Sequence, residues 1–342
     1  AVCAWVATAP LMAAHFNRVS LLSPVLYVLL IPLVLPLLVG SMGVAGLSLA
    51  GLPAGWLAAV TGYLGGNITG LLRLASRVPG FVHYTPGPPW WWVGVFYGGV
   101  SLWLWRRRLR GARRALVVLA VGLGISYMVM DFAAARPGRF RLTVLDVGHG
   151  SAVAMRTPTG RTVLYDAGST SVTDRRAVAE FLWSRRVRRI DSLVLSHRNI
   201  DHLSFTPFVA RRFSVWNILL PPRPPEPTDI GRALRKSLNR LELNPVGMTE
   251  GTLLTGGGLS LRCLHPGDRF AADDEVALND RSVVLKGSYG GFSFLLTGDL
   301  QQAGLQRLLR DHAGELRADM LLLPHHGAWT PALERLVEHV KP

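Results

Sequence analysis

Residues 193–202 read LVLSHRNIDH, a short apolar run that ends in two histidines and an aspartate. The leucine- and valine-rich start is typical of a buried β-strand, and the polar residues follow it directly. Two imidazoles and one carboxylate within six residues are close enough to face a shared ion. The stretch therefore predicts a strand whose C-terminal end carries metal ligands at His197, Asp201 and His202.

Two later predicted strands end in the same way. LLTGD at 295–299 finishes with Asp299, and LPHHG at 323–327 carries His325 and His326. Three strand ends that each offer metal ligands are an improbable coincidence, so we expect them to converge on one centre. The spacing does not choose between His325 and His326.

Some of these residues also have simpler interpretations. Asp201 could cap the helix that follows it, and Asp299 could cap a helix beginning near Gln301. Neither capping role explains the neighbouring histidines. His265, in LHPGD at 264–268, ends another predicted strand and is a further candidate nitrogen ligand.

From residue 139 onward, short β-branched runs alternate with helical stretches. Helices are predicted at 175–186, 231–241 and 301–309, which makes this part an α/β domain with helices covering sheets. The predicted strands are RLTVLDVG (141–148), TVLYDAG (162–168), SLVLSH (192–197), SVVLKG (282–287), FSFLLTGD (292–299) and DMLLLPHH (319–326).

The first 131 residues have the composition of a membrane protein. They contain nine Arg and one acid, Asp131, whereas residues 132–342 contain 25 Arg, three Lys and 21 acids. Between Arg18 and Arg73 lie 54 residues without Asp, Glu, Lys or Arg, and one bilayer crossing needs about 20 apolar residues. One crossing is predicted near Leu22–Leu47.

The remaining apolar stretches predict a multi-pass region. Residues 48–79 fit an amphipathic helix at the interface, and 90–105 and 115–130 fit two further crossings. Six Arg between 106 and 114 favour a cytoplasmic loop, which places the C-terminal domain on the extracytoplasmic face.

Cysteine and charge content narrow the chemistry further. Cys3 and Cys263 are too few and too distant for a disulfide framework or a thiolate zinc site, so a metal must use histidine and carboxylate ligands. The net charge of +15 favours anionic partners such as nucleic acid or lipid headgroups. An arginine-rich genome is the alternative explanation, because 34 of the 37 basic residues are Arg.

The pattern at His197, Asp201 and His202 resembles the HxHxDH signature of the metallo-β-lactamase superfamily. Asn199 stands where the signature has its second histidine, and Ser204-Phe205 replace the Gly-Gly that commonly follows. The resemblance implies an αββα sandwich that binds one or two divalent cations. With the neutral Asn199, mixed oxygen and nitrogen ligation suits Mn or Mg at least as well as Zn.

The same resemblance assigns roles to residues outside the signature. It implies Asp299 as a metal-bridging and catalytic carboxylate, with Asp201 beside it. It implies that Asp166, in LYDAG, corresponds to the first strand-end aspartate of the family. His149 lies in a glycine-flanked turn before a predicted strand, where it could line the cleft together with Asn199 or be a simple turn residue.

The chain as a whole resembles the ComEC family of competence proteins, in which the second histidine of the signature is often acidic. The resemblance implies that 1–131 is the C-terminal part of a polytopic single-strand DNA channel, 132–138 a linker, and 139–342 a hydrolase domain cut short at its C-terminus. It implies a location in the inner membrane and contacts with DNA, the lipid bilayer and other competence proteins. The motifs that carry the resemblance are AAHFNRVSLLSPVLYVLLIPLVLPL (13–37), LDVGHGSA (145–152), YDAGS (165–169), LSHRNIDH (195–202), LHPGD (264–268), LLTGD (295–299) and LPHHG (323–327).

Three functions are compatible with these observations. The first is a metal-dependent phosphodiesterase that degrades the DNA strand that is not imported, with Arg198, Arg211 and Arg212 contacting phosphates. The second is a decayed DNA-binding module, for which Asn199 and Ser204-Phe205 argue. The third is a membrane-tethered hydrolase of small molecules, which the basic excess and the polytopic half disfavour. Oligomeric state is open.

Overall fold

The chain divides into two compact units, Ala1–Asp131 and Phe132–Pro342. A computed structural model describes residues 1–76, 78, 81–85, 87–105, 112–135, 138–171, 175–222, 229–240, 242–273 and 275–342. The arginine-rich stretch at 106–111 and part of the predicted linker at 132–138 lie outside the described residues.

The N-terminal unit is helical, as its apolar composition predicts. In the described residues, Ser23–Leu49 is the one helix both long enough and apolar enough to cross a membrane. Shorter apolar helices cover Val2–Phe16 and Val117–Met130. The helices of this unit are α1 (Val2–Phe16), α2 (Ser23–Leu49), α3 (Gly55–Ala75), α4 (Trp90–Leu104) and α5 (Ala112–Ala135), and its strands are β1 (Arg18–Ser20) and β2 (Val82–Tyr84).

Helices α2 and α3 pack closely against each other. Leu26 and Leu30 of α2 are buried with Ile68 of α3 in one apolar cluster. A Cβ atom at Gly40 would lie 2.3 Å from the Cγ2 atom of Thr61, so the helices can approach this closely only because residue 40 lacks a side chain. The predicted helix near 22–47 is confirmed, and the stretch at 48–79 contains a 21-residue helix.

The C-terminal unit contains two β-sheets, and the strands predicted from the sequence are all present. The six-stranded sheet has the strand order β3-β4-β5-β6-β7-β8, and the five-stranded sheet has the order β13-β12-β11-β10-β9. The strands are β3 (Arg141–Val144), β4 (Val153–Arg156), β5 (Thr162–Tyr165), β6 (Arg189–Val194), β7 (Ser214–Leu220), β8 (Val246–Gly247), β9 (Leu253–Gly256), β10 (Leu259–His265), β11 (Val284–Tyr289), β12 (Phe292–Leu296) and β13 (Met320–Leu322).

The two sheets pack face to face around an apolar core. Met155 and Tyr165 of the first sheet and Leu285 and Phe294 of the second are fully buried in one cluster. The Tyr165 hydroxyl donates a hydrogen bond of 2.7 Å to the backbone oxygen of Val283, which satisfies the buried phenol and joins the two sheets.

Helices cover the outer faces of both sheets, which gives the αββα sandwich. Leu308 of α11 and Leu336 of α12 are buried against the outside of the five-stranded sheet. The predicted helices at 175–186, 231–241 and 301–309 are confirmed. The helices of this unit are α6 (Arg175–Ser184), α7 (Ile200–Leu203), α8 (Thr206–Ala210), α9 (Asp229–Arg240), α10 (Asp268–Ala272), α11 (Gln302–His312) and α12 (Pro331–Val340).

We expect Gly287→Ala to lower the free energy of unfolding by about 1–3 kcal/mol, because it overpacks the core. A Cβ atom at this position would lie 2.0 Å from the ring of Phe294, its cross-strand partner, and that ring is fully buried. Urea unfolding followed by pulse proteolysis measures the effect. Gly291→Ala, in the turn after β11 where nothing lies within 4 Å, is the matched control. Equal stability of the two variants would contradict the packing argument.

Candidate metal centre

Asp166 organises the polar network at the ends of β5 and β6. Its carboxylate is fully buried and accepts hydrogen bonds from the backbone N–H of Ser196 at 2.7 Å and from its hydroxyl at 2.9 Å. The Nδ1 atom of His202 lies 2.8 Å from the same carboxylate. With Nδ1 held by Asp166, the Nε2 atom of His202 is the nitrogen left to bind an ion.

Asp299 follows β12 and is placed by two small residues. The preceding Gly298 has a φ of 53°, and a Cβ atom there would lie 2.7 Å from Ser196 and 2.9 Å from Ser282. The backbone N–H of Asp299 donates to the Ser282 hydroxyl at 3.1 Å. The glycine therefore allows the Asp299 loop to pack against the His202 loop.

His325 and His326 form a tight turn after β13. Both have left-handed backbone conformations, with φ of 49° and 54°, and each costs on the order of 1–3 kcal/mol. The backbone N–H of His325 donates to the oxygen of Gly298 at 3.1 Å, which ties this turn to the Asp299 loop. The His325 imidazole lies 3.4 Å from the side chain of Gln301, whereas His326 reaches the carboxylates.

Four side chains from three separate segments converge on one point. The Nε2 atom of His202 lies 3.0 Å from Oδ1 of Asp299. The Nε2 atom of His326 lies 3.5 Å from Oδ2 of Asp201 and 3.6 Å from Oδ2 of Asp299. One ligand atom from each of the four residues lies within 4.8 Å of the others. Ions bound at about 2.0–2.2 Å by such atoms require separations of this size.

The charges of the group are strongly coupled. Burial alone would lower the pKa of His202, but the carboxylates of Asp166 and Asp299 outweigh burial and raise that pKa to about 10. For Asp299, burial alone would raise the pKa, yet the contact with His202 leaves it below its ordinary value. Without a metal, His202 holds a proton between two carboxylates, and an ion that binds there must displace it.

His197 adds a neutral imidazole beside this group. Its ring centroid lies 4.2 Å from that of His202, and burial, aided by the neighbouring imidazoles, lowers its pKa to about 3. Its Nε2 atom is buried and has no hydrogen-bond partner within the described part of the chain. An orphaned imidazole nitrogen next to His202 fits a divalent cation, and the donor set suits Mn, Zn or Mg.

This arrangement lies in the part of the chain that matches a known family. The model of the metallo-beta-lactamase superfamily matches residues 145–342, which is more than half of the chain. The chain belongs to the metallo-beta-lactamase superfamily. The αββα sandwich and the four converging candidate ligands agree with that membership, and the superfamily fold implies divalent metal ions.

The N-terminal unit matches a different family. The model described as "Competence protein" matches residues 1–110. ComE operon protein 3 of Bacillus subtilis is 24% identical across 97% of this chain, and the alignment covers 44% of that relative. Competence protein ComA of Neisseria gonorrhoeae is 28% identical over 66% of this chain and 31% of its own length. The chain thus spans less than half the length of these relatives.

Solved structures of the superfamily also align with the chain. The metallo-beta-lactamase fold protein YhfI from Bacillus subtilis is 14% identical, covers 59% of this chain and 83% of its own, and has a TM-score of 0.38.

The structure brings some of the other predicted site residues to the centre and holds others away from it. His149 lies beside His326, with ring centroids 4.9 Å apart, and so lines the group. The Nδ2 atom of Asn199 donates to the Oδ1 atom of Asn279 at 2.6 Å. His265 is buried, and its Nε2 atom donates to the backbone oxygen of Asp280 at 2.8 Å.

The three arginines predicted to contact DNA make local hydrogen bonds. Arg198 donates to the backbone oxygen of Pro221 at 2.6 Å. Arg211 and Arg212, near the end of α8, donate to backbone oxygens one turn earlier, and the guanidinium of Arg212 lies 3.5 Å from the ring centre of Phe208. Arg211 and Arg212 are exposed to solvent. The contact of all three arginines with DNA stays a prediction.

The capping alternative for Asp299 is wrong. Asp280, a buried residue in the turn before β11, accepts hydrogen bonds from the backbone N–H groups of Gln301 at 2.9 Å and Gly304 at 2.8 Å at the start of α11. For Asp201 the capping alternative also fails, because Asp201 lies inside α7 and Asn199 is the N-cap residue. Both carboxylates are therefore left for the metal group.

Sequence reasoning missed Ser196, Ser282 and Asn279. All three support the centre through hydrogen bonds to Asp166, Asp299 and Asn199. The serine next to His197 and the polar run at 279–282 were the available signals, but small polar residues beside strands are common in turns.

We expect the stability contributed by His265 to fall as the pH is lowered. Burial lowers the pKa of His265 from 6.5 to about 4, so between these values the unfolded chain binds the proton and the folded chain does not. The contribution of His265 to the free energy of unfolding is therefore retained above pH 6.5 and falls toward pH 4. At pH 5 it is roughly 2 kcal/mol lower than at pH 7. Pulse proteolysis in urea at both pH values should show a smaller loss for His265→Gln than for the unmodified chain. An identical loss would contradict the assignment.

Proposed function

We propose that this chain is part of a DNA-uptake protein, in which helices of a single-strand DNA channel are joined to a metal-dependent phosphodiesterase that acts on the strand not imported. The convergence of Asp201, His202, Asp299 and His326 carries the hydrolase part of the proposal. The match of residues 1–110 to the competence family and the two competence relatives support the DNA-uptake part.

The residues of the centre have distinct roles in the proposed reaction. When bound, a divalent cation supplies Lewis-acid activation of water and of a phosphate ester. Asp299 and Asp201 hold negative charge at the ion, and Asp166 fixes the orientation of His202 by holding its Nδ1 atom. His326 is the most exposed ligand, with 31% of its side chain accessible, so substrate approaches from its side.

The substrate class follows from charge. The net charge of +15 favours a polyanion over a neutral ester or lactone. Arg211 and Arg212 are exposed and would contact phosphates without reading bases. Arg198, inside the metal signature, would hold the chain at Pro221 beside the centre through its hydrogen bond to the Pro221 oxygen. Affinity for DNA should therefore fall steeply with salt.

The N-terminal unit is proposed to span the inner membrane more than once. Helix α2 is the described helix that meets the length and composition for a crossing, and α4 and α5 are the proposed further crossings. The six arginines between 106 and 114 favour a cytoplasmic loop, which places the C-terminal unit outside the cytoplasm. An alkaline phosphatase fusion after residue 342 should be active; an inactive, stably produced fusion would reverse this topology.

The test of the proposed function is DNA cleavage by the chain purified in detergent. End-labelled single-stranded and double-stranded DNA is incubated with Mn²⁺, Mg²⁺ or Zn²⁺, and products are separated on a denaturing gel. We expect cleavage that Mn²⁺ stimulates and EDTA abolishes. A parallel panel of small esters and lactones should stay intact. Intact DNA with every metal, together with salt-dependent binding, would instead identify a DNA-binding module.

A further inference from the structure

The second position of the metal signature is occupied by a pair of hydrogen-bonded amides. The Nδ2 atom of Asn199 donates to Oδ1 of Asn279 at 2.6 Å, which joins two segments 80 residues apart. Asn279 is itself fixed, because its backbone oxygen accepts hydrogen bonds from the N–H of Ser282 at 3.0 Å and from its hydroxyl at 2.7 Å. The pair is neutral, and its bond uses Nδ2 of Asn199 and Oδ1 of Asn279, so an uncharged Oδ1 atom is all that the Asn199 side chain can offer an ion.

The remaining candidate for a second ion is also engaged elsewhere. His265 donates from Nε2 to the backbone oxygen of Asp280, and its ring packs edge-on against Phe270 at a centroid distance of 5.1 Å. The backbone oxygen of Asp280 is a permanent acceptor, so this nitrogen keeps its proton and cannot bind a cation.

The centre therefore has one complete set of ligand atoms for a cation and, beside it, one weaker set. Asp201, His202, Asp299 and His326 supply two carboxylates and two imidazoles within 4.8 Å. Among the described residues, the other side offers the orphaned Nε2 atom of His197, the uncharged Oδ1 atom of Asn199 and a share in Asp299. Affinity for divalent cations rises with the charge of the ligand set, and this side has no carboxylate of its own, so it holds an ion far more weakly than the first set does.

We infer that this centre binds a single divalent cation, and that the Asn199–Asn279 pair is what keeps a second ion out. This inference deepens the proposed function, because it sets the metal stoichiometry of the same centre. The loss of the second imidazole then leaves a one-ion hydrolase rather than an empty site.

Metal stoichiometry and electron paramagnetic resonance test the inference without an activity assay. The intact chain in detergent is dialysed against micromolar Mn²⁺, and bound metal is measured by plasma mass spectrometry. We expect one Mn²⁺ per chain with the spectrum of an isolated ion. Asn199→His should raise the content to two and produce the spectrum of an exchange-coupled pair. Asn217→His, at an exposed asparagine on β7, is the matched control and should stay at one.

The outcomes separate the inference from the proposed function. Two ions in the unmodified chain would overturn the inference and leave the hydrolase proposal standing. A folded Asn199→His variant that still binds one ion would overturn the role of Asn199; Asn199→Asp serves if the histidine variant does not fold. One bound ion without DNA cleavage would support the inference and contradict the nuclease proposal. No bound ion would overturn both.

Discussion

Asp299→Ala should lower the affinity for Mn²⁺ by more than about 100-fold and abolish DNA cleavage. Replacing a residue that merely orients a ligand already costs about 10–100-fold, and Asp299 lies within 3.6 Å of both His202 and His326. Isothermal titration with Mn²⁺ and the end-labelled DNA assay measure the two effects. The loss of both together is expected because the same carboxylate serves binding and chemistry.

Two further variants show whether the loss is specific. Asp299→Asn keeps the side-chain volume and the backbone hydrogen bond to Ser282, so the fold should survive while metal binding fails. Asp268→Ala removes an exposed carboxylate from the first turn of α10 and should bind Mn²⁺ like the unmodified chain. Unchanged Mn²⁺ affinity in both Asp299 variants would remove Asp299 from the metal group.

Asp166→Ala should lower the free energy of unfolding by about 3–5 kcal/mol and also weaken Mn²⁺ binding by about 10–100-fold. The change leaves the buried N–H and hydroxyl of Ser196 and the Nδ1 atom of His202 without their acceptor. It also replaces an aspartate whose φ is 58°, a left-handed conformation that alanine tolerates less well. Pulse proteolysis in urea and Mn²⁺ titration measure the two effects.

The matched controls separate the effect on the free energy of unfolding from the effect on Mn²⁺ affinity. Asp166→Asn keeps one acceptor oxygen and tolerates the left-handed backbone, so it should cost less stability than alanine. Asp191→Ala removes another buried carboxylate from the same sheet, which accepts from the N–H of Thr162 at 2.8 Å and pairs with Arg189. We expect it to destabilise the chain without changing the Mn²⁺ affinity. Weakened Mn²⁺ binding in Asp191→Ala would mean that the metal effect of Asp166 is general destabilisation.

Most of the secondary structure of the C-terminal unit follows from local patterns. The apolar runs within β5, β6, β11 and β12 are buried because these strands lie between a second sheet and a helical layer. Strands β7, β8 and β9 were not predicted. The two-residue β8 and the half-exposed β9 exist through pairing with neighbours, which sequence periodicity does not record.

In the N-terminal unit, the sequence predicts the apolar helix but not how it packs. Its uncharged run predicts an apolar helix, and this helix is confirmed at Ser23–Leu49. The prediction succeeds because length and composition alone define such a segment. The close contact of α2 with α3 at Gly40 and Thr61 was not predictable, since it depends on which small residues face each other. The crossings proposed for α4 and α5 rest on sequence alone.

The sequence by itself determined the types of the candidate ligands and their positions near strand ends, because each follows an apolar run that must be buried. The tertiary structure decided which of the ligands meet. It selected His326 over His325 through two left-handed residues in one turn, and it tied Asn199 to Asn279 across 80 residues. Backbone dihedrals and contacts between distant segments control these choices, and neither is encoded in the local pattern of residues.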